Sequence, residues 1–272
     1  MAVVFDEWNG GELDSFLIEI TANILRFRDE DGKPLLDKIL DVAGQKGTGK
    51  WSAIAAMDEN DPLTLITEAV YARLLSALYS ERVKAARLYS GKLKVESGKL
   101  SDNSQLSIED VRQALYAAKL VSYAQGFSLL RRASEHYGWD LDYGTIARIW
   151  RKGCIIRSVF LQKITDAYRK DLDLENLLFD DFFRSKIQDA LPAWRRIVAE
   201  GALSGVALPA MSSALSYFDG LRTLHSAANM IQAQRDYFGA HTYERTDRER
   251  GHFFHTNWTG EGGNTISGTY SV

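Results

Sequence analysis

The chain has 272 residues, 45% of them hydrophobic, and a formal net charge of −3 at pH 7. That is apolar material for one large domain or two small ones, and the charge gives no bulk attraction to nucleic acid or to an anionic membrane, so a cationic site has to be built locally. A single cysteine, Cys154, excludes an intramolecular disulfide and fits a reducing compartment, four prolines favour a helix-rich fold, and there is neither a signal pattern nor an apolar run long enough to span a bilayer.

Phe5 and Trp8 stand near the start with nothing before them to pack against, which suggests a piece of something longer. Asp14-Ser15 can cap a helix with Phe16, Leu17, Ile20, Ile24 and Leu25 as its apolar face. Residues 29–34 read as a turn, and the apolar spacing over 35–42 predicts a helix leading into a glycine-rich loop. Beyond the loop, Trp51 to Ala56 is apolar enough to bury. Asp61-Pro62 is expected to start a helix running to about Arg87. Ser90 to Gln105 is polar and Gly/Ser/Lys-rich, an exposed linker. Ser107-Ile108-Glu109-Asp110 is a capping box opening a long helix through Ala133. Residues 138–142 form another turn and cap, and Ile146, Ile149 and Trp150 give a short apolar face. Further helices are expected around 159–168 and 177–197, with Pro192 interrupting or starting a segment. Gly201 to Pro209 is a break, and Ala210 to about Tyr237 reads as one long Ala/Ser-rich helix. Residues 243–272 lack periodicity and form an extended tail, yet they contain His252, Phe253, Phe254, His255 and Trp258. Disordered tails are poor in aromatics, so this one is expected to dock against something.

The glycine-rich loop is the stretch around which the chain is organised. Ala43 to Lys50 packs three glycines, two lysines and a threonine into eight residues. Glycines let the backbone take positive φ and approach a ligand closely, while Lys46, Lys50 and Thr48 supply charge and a hydroxyl. Gly44 to Lys50 fits G-x-x-x-x-G-K, but Trp51 stands where a P-loop needs Ser or Thr for Mg²⁺, and no strand precedes it. Two readings stand on the residues alone, a phosphate-contacting loop that is not an NTPase loop and a Gly/Lys surface turn.

Three basic residues stand out by context. Lys46 lies in the loop, Arg73 in a largely apolar helix, and Arg235 just before Tyr237-Phe238-Gly239-Ala240-His241. An arginine offers a planar fork for phosphate or carboxylate. The plainer reading of each is a solvated charge or a structural ion pair, such as Arg73 with Glu68 or Glu81, and of His241 a structural histidine. His252 and His255 lack partners at metal-ligand spacing, so no metal is expected. Cys154 reads as a core residue.

Several motifs in order resemble the 6-phosphogluconate dehydrogenase family. They are Phe5-x-x-Trp8-Asn9, the run Ser15 to Thr21, Asp41-x-Ala43 through Trp51, and Ile231-Gln232-Ala233-Gln234-Arg235-Asp236-Tyr237-Phe238-Gly239-Ala240-His241-Thr242-Tyr243, followed by His255-Thr256-Asn257-Trp258 and Gly262-Gly263. The resemblance covers essentially the whole chain. It implies an all-α domain over 1–238, carrying substrate binding and dimerisation, and a tail over 239–272 that threads into the partner of a homodimer. It implies oxidation of 6-phosphogluconate with NADP⁺ and decarboxylation to ribulose 5-phosphate in the cytoplasm. Carried over by motif, Lys46, Thr48 and Arg73 match substrate contacts, with Lys46 and Arg73 near the phosphate, and Arg235 and His241 match contacts reaching the substrate from the other subunit. The family's N-terminal Rossmann domain and the helix bearing its lysine base and glutamate acid are absent from these residues, so the resemblance places no catalytic residue in this chain. The alternative is a truncated, non-catalytic homologue that dimerises or binds sugar phosphate.

Overall fold

The computed structural model describes residues 1–89, 106–151 and 153–260. The expected linker over 90–105 and the Gly262-Gly263 motif lie outside them. Among the described residues eleven helices follow in chain order: α1 Ala2–Asn9, α2 Phe16–Arg26, α3 Thr48–Asp58, α4 Thr64–Ala77, α5 Tyr79–Tyr89, α6 Ile108–Tyr137, α7 Tyr143–Ile149, α8 Leu161–Lys170, α9 Asp181–Leu203, α10 Pro209–Leu221 and α11 Ala228–Gly239. A two-stranded antiparallel hairpin closes the described chain, with β1 Tyr243–Glu244 paired to β2 Phe253–Phe254 in the register Tyr243 to Phe254. The all-α class follows from these elements. Packing divides the chain into a unit from Met1 to Phe218 and a smaller unit from Asp219 onward. The expected division at 238/239 separates α11 from the tail, whereas the smaller unit holds them together.

The core of the first unit is the pair α6 and α9, the most extensive helix–helix packing among the described residues. Buried Phe183, Ile187, Ala190, Trp194 and Ile197 recur at helical spacing along α9. They meet Ala114, Ala117, Ala118, Val121 and Ala124 of α6, whose small side chains let the helices approach. Each buried aromatic such as Phe183 or Trp194 contributes about 1.5–3 kcal/mol. The capping box at the start of α6 forms in full, with Ser107 Oγ accepting from the Asp110 N–H at 3.0 Å and Asp110 Oδ2 accepting from the Ser107 N–H at 2.8 Å. These bonds, together with Arg196 of α9, hold the Asp110 carboxyl down at about 2. Gly138 ends α6 at φ 66°, and Asp142 caps α7 through the Thr145 N–H at 2.9 Å.

The expected helix over 35–42 is only a 3₁₀ turn, Leu35–Lys38, and its apolar residues Leu36, Ile39 and Leu40 are exposed. Trp51 is likewise 63% exposed, and only Ala53 and Ala56 of 51–56 are buried. The face of α2 is turned from the expected one, with Ile18 and Ala22 buried and Leu17 and Ile24 exposed. Pro62 lies before α4 rather than at its first position, and Asp61 tethers the chain to α6 by accepting from Ser128 Oγ at 2.6 Å and Arg132 Nε at 3.1 Å. The helix expected to run to Arg87 breaks at Leu78, where Arg82 takes the carbonyl of Ser76 at 3.1 Å.

Pro192 does not interrupt α9. It is exposed, so the Gln188 carbonyl that loses its N–H donor lies on the solvent side, while buried Ala193 and Trp194 hold the helix to the core. The long helix expected over 210–237 is two helices. Thr223 Oγ1 donates to the Asp219 carbonyl at 2.6 Å, and Ser226 Oγ accepts from the Ala228 N–H at 3.3 Å, so side-chain bonds to backbone end one helix and start the next.

Candidate functional site

Lys46, Thr48 and Arg73 lie in the first unit and gather at the glycine loop. Gly47 takes φ 106°, and a Cβ there would stand 3.2 Å from the Trp51 ring, so glycine is needed for both the backbone angle and the overlying indole. Thr48 begins α3, whose N-terminus has no side-chain cap, and the first turn presents its N–H groups outward. A Cβ on Gly49 would reach within 2.9 Å of Val70 Cγ2, so the loop's third glycine lets α3 lie close on α4.

The segment before the loop is held from α4 and α5. Ser76 Oγ accepts from the Ala43 N–H at 2.9 Å, Arg82 pairs with Asp41, and the Arg73 guanidinium donates to the Gly44 carbonyl. Arg73 thereby reaches the same loop as Lys46, two residues further on. Among the described residues Arg73 pairs with neither Glu68 nor Glu81, and Lys46 makes no ion pair. All three predicted residues are exposed.

Arg235 and His241 lie in the second unit and share one cleft of about 450 Å³, lined also by Asn229, Gln232 and Tyr243. Arg235 projects from α11 and donates to Gln232 Oε1 at 3.0 Å. Gln232 in turn donates to the carbonyl of Thr242, tying the arginine's helix to the turn that bears the histidine. The imidazole of His241 lies against Gly239, where a Cβ would stand 2.6 Å from Nε2, and meets Phe238 edge-on at 6.0 Å.

The partners of these arginines differ from those of most others. Arg26, Arg82, Arg112, Arg157, Arg196 and Arg250 all pair with carboxylates. Arg73 and Arg235 bind neutral acceptors, a carbonyl and an amide, as Arg151 does with Gln162. A guanidinium held by a neutral partner is positioned without being neutralised, which suits it to an anion.

Sequence reasoning missed Asp236. It is fully buried, and its two carboxylate oxygens accept from the Thr242 N–H, His255 Nδ1, the Thr256 N–H and Trp258 Nε1 at 2.8–3.0 Å. Burial alone would push this carboxyl up. The bonds from His255, Thr256 and Trp258 outweigh burial and hold it below the ordinary range. The signal was its place in the run from Ile231 to Tyr243, but nothing local distinguishes it from a solvated helix acid. The docking expected of the tail aromatics is seen for Trp258, whose indole comes to rest on this carboxylate.

Among the described residues no helix is long and apolar enough to cross a membrane. The family model "6-phosphogluconate dehydrogenase, C-terminal domain" matches residues 1–258. The chain is 56% identical over its whole length to the decarboxylating 6-phosphogluconate dehydrogenase of Rattus norvegicus, covering 56% of that protein. It is 53% identical, again over its whole length, to the one from Aggregatibacter actinomycetemcomitans, covering 55% of it. The chain thus spans about half the length of the relatives it matches. A solved structure of Plasmodium falciparum 6-phosphogluconate dehydrogenase, described in its apo form and in complexes with its cofactor NADP⁺ and its substrate 6-phosphogluconate, aligns with a TM-score of 0.89 at 43% identity, over 94% of this chain and 54% of that one. With the family model covering residues 1–258 and relatives more than half identical along the whole of this chain, the chain belongs to the 6-phosphogluconate dehydrogenase C-terminal domain family.

Proposed function

We propose that this chain supplies the phosphosugar-binding and dimer-forming part of an NADP-dependent, decarboxylating 6-phosphogluconate dehydrogenase, converting 6-phosphogluconate to ribulose 5-phosphate and CO₂ in the cytoplasm. The observation that carries this reading is the pair of arginines held by neutral acceptors, Arg73 at the Gly44 carbonyl and Arg235 at Gln232. Lys46 and Arg73 bind the phosphate, Thr48 adds a hydroxyl and a helix N-terminal N–H, and Arg235 and His241 come from the second copy of a homodimer.

The apolar surface supports a covered face. Leu36, Ile39, Trp51, Met57, Leu74 and Leu75 are all exposed around the loop and α3–α4 of the first unit. Large exposed apolar patches mark interaction surfaces, and a second copy with its tail over 239–272 is the occupant this reading assigns.

On this reading NADP⁺ belongs to the family's Rossmann domain, and the lysine base and glutamate acid to the helix just after it. The 272 residues alone are expected to bind 6-phosphogluconate without reducing NADP⁺. Nicotinamide absorbance in a purified sample tests that statement, and turnover above background contradicts it. Light scattering tests the dimer, and a monodisperse monomer at micromolar concentration contradicts it. A non-catalytic module that dimerises or binds sugar phosphate is the alternative. Restoring the family's Rossmann domain together with the helix that bears the base and acid separates the two, because only the enzyme part then turns over.

A further inference from the structure

The joint between α11 and the hairpin is a strained piece of backbone. Ala240 and Thr242 both take left-handed conformations, at φ 49° and 51°, on either side of His241. Thr242 is β-branched, and a β-branched residue at positive φ is an outlier that persists only where its surroundings over-determine it. Those surroundings come from α11. The Ala240 N–H donates to the Asp236 carbonyl at 2.9 Å, the Thr242 N–H to Asp236 Oδ1 at 3.0 Å, and Gln232 takes the Thr242 carbonyl. Asp236 also collects the far end of the hairpin, with His255 Nδ1 on Oδ1 at 2.9 Å and, on Oδ2, the Thr256 N–H at 3.0 Å and Trp258 Nε1 at 2.8 Å. One buried carboxylate thus has its acceptor positions filled from both strands' flanks.

We propose that Asp236 is the positioning residue of this site: its carboxylate holds the strained 240–242 turn so that His241 stands in the same cleft as Arg235. The proposal rests on the phosphosugar reading of Arg235 and His241. Gly239 completes the device, because only the missing Cβ lets the imidazole lie back over the end of α11. Asparagine at 236 keeps one acceptor oxygen and turns an NH₂ toward two donors, so two of the four tail bonds are lost and the turn relaxes.

The test uses the full chain as wild type, Asp236→Asn, Asp236→Ala and Gly239→Ala, and reads the His241 imidazole and Trp258 indole N–H by NMR, with and without 6-phosphogluconate. In Asp236→Asn, which keeps one oxygen and its two donors, one of the two signals is expected to move to its solvent-exposed position, and in Asp236→Ala, which keeps neither oxygen, both move. In Gly239→Ala the His241 signal moves and the Trp258 signal stays. A His241 signal unmoved in Asp236→Ala overturns the proposal. Should Asp236→Ala fail to fold, Asp236→Asn decides, and both signals unmoved there overturn it. In Gly239→Ala a roughly tenfold loss of 6-phosphogluconate affinity with the tail still docked is expected from misplacement of one contact, and unchanged affinity overturns the claim. A wild-type His241 signal that ignores 6-phosphogluconate rejects the phosphosugar reading instead, and is distinguishable because the tail signals are read without ligand.

Discussion

The glycine loop and the α11–hairpin joint hold comparable cations in opposite ways. The loop is open, with Lys46, Thr48 and Arg73 exposed and the backbone fixed at a few points by Ser76, Arg73 and Arg82. The joint is closed over a buried carboxylate, with Arg235 and His241 half-buried and the turn strained. On the proposed reading the difference teaches that the loop can adapt to an anion, whereas the joint is set before one arrives. Pre-set contacts avoid the ordering cost that adaptable ones incur on binding.

The largest expected effect follows from that contrast. Arg235→Ala removes a pre-set contact worth roughly 1.5–3 kcal/mol, so 6-phosphogluconate binding should weaken by roughly ten- to a hundredfold, read by calorimetry. Arg73→Ala removes a contact on the open loop and should weaken it roughly tenfold, while Lys84→Ala on the exposed face of α5 should leave it unchanged. In a full enzyme the loss should fall mainly on KM, because the phosphate is remote from the bonds that change. Equal affinity for all three variants would erase the comparison.

Stability effects are smaller. Gly47→Ala forces an alanine to φ 106° beneath the Trp51 ring and should cost about 1–2 kcal/mol, read in thermal melts. Acid should act at the joint and at the α6 cap. Asp110 and Asp236 are both held below their ordinary values. Depressed carboxylates stabilise fully above the unfolded value of about 3.9, and the contribution is lost as pH falls through the folded value. For Asp110 that window runs down to about 2, so melts should fall across it, and Asp110→Asn should flatten the fall. Trp258 fluorescence should report release of the tail below the same upper edge.

The smallest effect concerns Lys119, whose amine is pushed down to about 8 by burial on α6, with the Leu13 carbonyl at 3.4 Å and the Phe160 ring at 5.3 Å as its partners. The unfolded chain binds this proton more tightly, so stability should rise with pH from about 8 toward about 10.4. Lys119→Met should remove that rise and stabilise the chain at pH 7 by about 1 kcal/mol, since the charged form is disfavoured but retains partners.

Much of the fold was legible because its signals are local. The Ser107–Asp110 box, the Gly138 turn and the 183–197 periodicity each complete themselves within a few residues. The break after Leu221 was not legible, because Thr223 and Ser226 are tolerated in helices and end one only when their oxygens turn to the backbone. The exposure of Trp51 was hidden for another reason, since apolar composition does not say which surface covers a residue. At the candidate site, Lys46, Arg73 and Arg235 stood out by context, and the family resemblance added Thr48 and His241 to them. Asp236 was not, because its partners lie six to twenty-two residues downstream and only the folded joint brings them to it.

The most direct measurement is a double-mutant cycle on the two arginines held by neutral acceptors. The dissociation constant for 6-phosphogluconate would be measured for wild type, Arg73→Ala, Arg235→Ala and the double variant, with light scattering alongside to hold the oligomeric state constant. Each single variant is expected to bind more weakly by roughly tenfold or more, and the double variant to depart from the product of the two losses, because cations on one anion are coupled. Wild-type affinity in both single variants would contradict the account.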